Sequence, residues 1–174
     1  MNAAMPAPAD RVVIGLGSPF LGDDSVGPRV IRALAGDCGG ARLVESHAGG
    51  LLLLEELAGA RQAIIVDALL DARRTPGEVV VAGIHGGSCN VSCGHDCSLS
   101  QTLALGRAMG LPLPDDEDIC LVAVVAENVS TFTESLSPRV AAALPQACRT
   151  VRNLLAHELD AASPQTSTDF QEAV

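Results

Sequence analysis

The 174-residue chain contains no lysine, no tryptophan and no tyrosine, and only three phenylalanines. Without lysine it has no amine for a Schiff base and no phosphate-binding-loop lysine, which removes two large mechanistic classes. All 11 basic residues are arginines, set against 21 acids, for a net charge of −10. Such a surface repels a phosphate backbone, so nucleic acid is excluded as a partner. With aromatics at 2% and hydrophobic residues at 48%, the core has to be assembled from Ala, Val, Leu and Ile, a mixture that suits a layered α/β protein. No apolar run approaches the roughly 20 residues needed to cross a bilayer. The first ten residues lack the basic and apolar regions of a signal peptide. The expectation is a cytoplasmic protein with no membrane partner. Six cysteines without a secretory signal read as reduced thiols or metal ligands rather than a disulfide framework.

What is present is an alternation of short apolar runs and amphipathic stretches. Strands are predicted at 11–16, 41–46, 62–70, 78–84 and 119–126, and helices at 26–34, 51–58, 99–109 and from Ser137-Pro138 to about Leu159. Asp23 is the expected N-cap of the first helix and Ser137 that of the last. The turn Thr75-Pro76-Gly77 is too short to hold a helix, so the strand after it is predicted to pair antiparallel with the strand before it. The fold class expected is a three-layer α/β domain: a twisted, mostly parallel five-stranded sheet with helices on both faces and one antiparallel strand. The single domain spans 11–160, between an N-terminal extension (1–10) and a polar, aperiodic tail (161–174) expected to be disordered.

Acidic side chains fall where strands hand over to the next element. The first strand runs into Gly15-Leu16-Gly17-Ser18-Pro19-Phe20-Leu21-Gly22-Asp23-Asp24-Ser25-Val26-Gly27, and Asp67 ends the run Ile64-Ile65-Val66. In open α/β sheets ligands gather at these carboxyl ends. Asp23 and Asp24 are also explained as helix-start acids, and Asp67 as a turn acid. The glycines do not follow the G-x-G-x-x-G spacing of a dinucleotide site, which leaves the nucleotide reading weak. His95 lies in an irregular stretch with Cys89, Cys93 and Cys97, whose spacing matches no standard zinc or iron–sulfur pattern; His47 and His85 are its rivals near strand ends. Two carboxylates and an imidazole form a set that borderline divalent ions accept. No H-E-x-x-H and no G-x-S-x-G is present, so standard zinc-protease and serine-hydrolase readings lack a motif.

With these residues in view, the sequence resembles the hydrogenase maturation proteases, which trim the large subunit of [NiFe] hydrogenases. The resemblance runs over about residues 11–157. It is carried by Gly15-Leu16-Gly17-Ser18 through Asp23-Asp24-Ser25-Val26-Gly27, by Ile64-Ile65-Val66-Asp67-Ala68, by Thr75-Pro76-Gly77, by His95 followed by Leu99 and Leu103, and by Leu136-Ser137-Pro138. Ser18 stands where the family usually has Asn, Ser25 where it usually has Gly, and Asp24 where many members carry Glu. The resemblance implies that Asp24, Asp67 and His95 contact nickel held by the substrate, with no organic cofactor. The implied activity is endoproteolytic removal of a C-terminal extension from a [NiFe] hydrogenase large-subunit precursor after nickel insertion. The alternative is a noncatalytic nickel scaffold or chaperone in the same pathway, with Cys89, Cys93, Cys97 and His95 as ligands.

Overall fold

The computed structural model describes residues 10–47, 49–84 and 99–156. Five strands, β1 (Arg11–Leu16), β2 (Arg42–Ser46), β3 (Gln62–Leu69), β4 (Val79–Gly83) and β5 (Ile119–Val125), form one sheet in the order β2-β1-β3-β5-β4. Four helices, α1 (Val26–Leu34), α2 (Leu51–Leu57), α3 (Leu99–Ala108) and α4 (Pro138–Ala156), cover its two faces. β2, β1, β3 and β5 are parallel and β4 is antiparallel, as the fold class expected from the sequence requires.

The antiparallel partner differs from the expectation. β4 pairs with β5, not with β3, because β5 lies between them. The physical reason is burial. β5 is apolar along all seven residues and buried throughout, which suits a strand covered on both faces, whereas β4 alternates with Val81 about half exposed and suits an edge. Backbone hydrogen bonds from Gly77 N to Val125 O and from Val125 N to Glu78 O, both 2.8 Å, hook the 75–78 turn onto the end of β5.

Side chains of the sheet alternate between two cores. Val13, Ile64, Val66 and Val122 pack under α1 and α4. Val12, Ile14, Ile65 and Leu121 pack under α2 and α3. At Gly27 a helix touches the sheet backbone directly: a Cβ there would sit 2.3 Å from Leu16 O and 2.6 Å from Val66 O. Only a residue without a side chain lets α1 start this close to β1 and β3.

The cap of α1 also differs from expectation. A 3-10 turn, Gly22–Ser25, precedes α1, so Asp23 lies inside that turn, Ser25 takes the cap position, and no side chain caps the helix. At α4, Ser137 holds the expected cap position before Pro138, its carbonyl accepting the Ala141 N–H at 2.9 Å, while its hydroxyl has no hydrogen-bond partner among the described residues. Except for Asp10, both the N-terminal extension and the C-terminal tail lie outside the described residues. No helix among the described residues is long and apolar enough to cross a membrane.

Candidate functional site

The strand order places the crevice. From β1 the chain crosses through α1 to β2 on one side, then through α2 to β3 on the other, so β1 and β3 flank the point where the winding reverses. Ligand crevices of open α/β sheets lie outside the carboxyl ends of the strands at such a point. Asp24 follows β1, and Asp67 stands one residue beyond the last β1–β3 register pair, Gly15 with Val66. Two of the three candidate residues therefore come to the same edge.

Asp24 is partly exposed and held by backbone. Its Oδ2 accepts the Ser18 N–H at 2.6 Å. This contact depends on Gly17, whose φ is +131° and whose absent side chain leaves room: a Cβ would lie 1.8 Å from the Asp24 carbonyl oxygen. Ser25 donates its hydroxyl to the Gly22 carbonyl at 2.7 Å and accepts from Arg29 Nε at 3.0 Å. A serine at this position thus ties the 3-10 turn to α1, a contact that glycine could not make.

Asp67 is 3% exposed, and its Oδ1 accepts the Ala68 N–H at 2.7 Å. By strand alternation it falls with Ile65 and Leu69 on the α2/α3 side, opposite Val66 and Ala68. It is a strand residue rather than the turn acid that its neighbourhood in sequence also allows. His95, His85, Cys89, Cys93 and Cys97 lie outside the described residues. The described residues that bound their segment, Ile84 and Leu99, both belong to the α2/α3 core. His47, the other rival imidazole, is exposed at the end of β2, and its Nδ1 lies 3.0 Å from the Gly17 carbonyl oxygen. Donation from Nδ1–H in that contact leaves Nε2 free to act as a ligand or base. Among the described residues no group of three or more His, Cys, Asp or Glu is placed to hold a metal ion.

The neighbour of Asp24 does different work from that expected of it. Asp23 is 1% exposed and accepts three backbone amides: Glu127 N at 2.9 Å and Asn128 N at 3.1 Å on Oδ2, and Ser137 N at 2.6 Å on Oδ1. A buried carboxylate is tolerated when it is multiply hydrogen-bonded. Here the bonds clamp both ends of the 127–137 loop to the turn after β1. Sequence reasoning missed this role because the donors lie more than 100 positions away. The adjacent acids divide as one structural anchor and one group at the open edge.

No protein-family model matches the chain, and no curated protein matches it in sequence. Solved structures do. The chain is similar to the hydrogenase maturating endopeptidase HybD from E. coli, with 24% identity, a TM-score of 0.63, and coverage of 81% of this chain and 88% of that one. It is also similar to the [NiFe] hydrogenase maturation protease HybD from Thermococcus kodakarensis, at 22% identity and TM-score 0.61 over 83% of this chain and 98% of that one. The maturation protease HycI from Thermococcus kodakarensis KOD1 matches at 16% identity and TM-score 0.65, covering 86% and 94%. The chain has the fold of the hydrogenase maturation endopeptidases.

Proposed function

We propose that this protein is a cytoplasmic endopeptidase that removes a C-terminal extension from the large-subunit precursor of a [NiFe] hydrogenase, recognising nickel carried by that substrate through Asp24, Asp67 and His95. The observation that supports the reading best is the convergence of Asp24 and Asp67 at the switch point between β1 and β3, on a fold shared with maturation endopeptidases. Carboxylate and imidazole ligands suit a borderline divalent ion. Substrate nickel supplies a Lewis-acid centre. The protein's share is to hold the precursor with its scissile amide fixed at the carboxyl edge of the sheet, where positioning alone lowers the barrier.

The test is direct. Purified protein is incubated with a nickel-loaded large-subunit precursor, and loss of a short C-terminal peptide is followed by mass spectrometry. The parent protein trims the precursor and Asp67→Ala does not; normal trimming by Asp67→Ala would remove Asp67 from the mechanism. A full-length precursor together with nickel retained on Cys89, Cys93, Cys97 and His95 would assign the noncatalytic scaffold role instead.

A further inference from the structure

Two of the three phenylalanines in a chain without Trp or Tyr are placed together on the surface. Phe20 and Phe132 stack with ring centroids 5.9 Å apart and planes 14° from parallel, yet they are 49% and 80% exposed. Phe132 is the most exposed large hydrophobic side chain among the described residues. The pair contributes nothing to either core. Exposed aromatics of this kind offer a bound molecule rigid apolar contact area.

The pair is rigidly presented. Gly22 N donates to Thr133 O at 2.8 Å and Thr133 N to Phe20 O at 2.9 Å, forming an isolated parallel bridge between the two loops. Within the second loop, Asn128 Oδ1 accepts Ser130 N at 2.9 Å and Thr131 N at 3.0 Å. Asp23 fastens the ends of that loop. A preformed platform loses little conformational freedom when it is covered, so its apolar contact is available as affinity.

Its position and size identify the occupant. Phe20 lies in the loop between β1 and Asp24, two residues from the Ser18 N–H that holds the Asp24 carboxylate, so the platform is built on the same turn as Asp24. The exposed parts of two phenylalanine rings offer on the order of 200 Å², well short of the ~800 Å² per partner of a stable interface. Two copies each carrying −10 also repel. A second copy of this chain is therefore disfavoured, and a short extended segment that places one or two apolar side chains on the rings is the fitting partner. We propose that Phe20 and Phe132 form a docking platform for an apolar stretch of the protein substrate, beside Asp24. This rests on the endopeptidase reading.

The experiment measures binding apart from cleavage. Immobilised nickel-loaded large-subunit precursor is titrated with parent protein, Phe132→Ala, Phe20→Ala and Phe132→Leu, while cleavage of the same precursor is followed by mass spectrometry. Kd is expected to rise at least ~10-fold for Phe132→Ala and for Phe20→Ala, with partial recovery in Phe132→Leu. Thermal melting verifies that Phe132→Ala, truncated at an exposed ring, remains folded. Equal Kd for parent and both alanine variants would overturn the platform even if cleavage proceeds. Binding without cleavage by the parent would overturn the endopeptidase reading, and a raised Kd in both alanine variants would then keep the rings as the docking platform for the precursor. Absence of binding by the parent would overturn both. Dimerisation of the parent in sedimentation that Phe132→Ala abolishes would replace the substrate by a second copy and overturn the proposal.

Discussion

On the α1/α4 face the sheet is covered by a 19-residue helix and by a second helix pressed so close that Gly27 meets strand backbone. On the α2/α3 face two helices of seven and ten residues leave Leu51, Leu52, Leu105 and Met109 about half exposed or more. The same alternation of apolar strand residues feeds both cores, yet at Gly27 the first brings a helix against strand backbone, while at Gly106 the second sets a helix against the ends of leucine side chains. Asp67 belongs to the second face. The α1/α4 side fixes the turn carrying Asp24, and the α2/α3 side holds the buried Asp67.

The comparison breaks if the two faces tolerate added volume equally. Gly27→Ala places a methyl against two carbonyl oxygens that cannot move without shifting β1 and β3, so a loss of about 4 kcal/mol or more is expected in urea unfolding. Asp23→Ala leaves three amides at the junction of the β1 turn and the α4 lead-in without their acceptor; about 3 kcal/mol is expected from the same measurement. Cys120, on the α1/α4 face of β5, provides a third probe. Burial pushes its thiol up to about 11, so the folded state keeps a proton that the unfolded chain releases near pH 9. The stability from this neutral thiol is whole below about pH 9 and lost as pH rises toward about 11, up to about 2–3 kcal/mol. Unfolding measured across that range should lose this slope in Cys120→Ala. The smallest effect belongs to the other face. At Gly106 in α3 the nearest atoms a Cβ would meet are the Cδ atoms of Leu54 and Leu113, and the gain in helix propensity of up to about 1 kcal/mol offsets the repacking, so Gly106→Ala should stay within about 1 kcal/mol of the parent. A large loss there would erase the distinction between the faces.

Most of the architecture is legible in the sequence because it rests on local period. The run Ile64-Ile65-Val66 reads as a buried strand without tertiary information, as does Ile119 to Val125, and the strand–helix alternation leads to a parallel sheet. The position of β4 is not legible, since it depends on β5, about 40 residues later, taking the place beside β3. The convergence of Asp24 and Asp67 follows from strand order and was readable. The work of Asp23 was not: in sequence it is an acid at a helix start, and its partners at 127, 128 and 137 become visible only when the loop closes over it. Phe20 and Phe132 are hidden for the same reason, each being an isolated aromatic in a polar loop. His95 and the cysteines near it fall outside the described residues, so their part in the site stays a reading of the sequence.

The hydrogen bond from Ser18 N–H to Asp24 has a consequence for what the turn attracts. In nucleotide-binding proteins of doubly wound α/β architecture, the strand-to-helix turn presents free amides and the positive end of a helix to a phosphate. Here the chain supplies its own anion to that amide, at 2.6 Å, and Asp67 stands at the neighbouring strand end. A carboxylate of the chain itself thus occupies the amide that would otherwise face a phosphate.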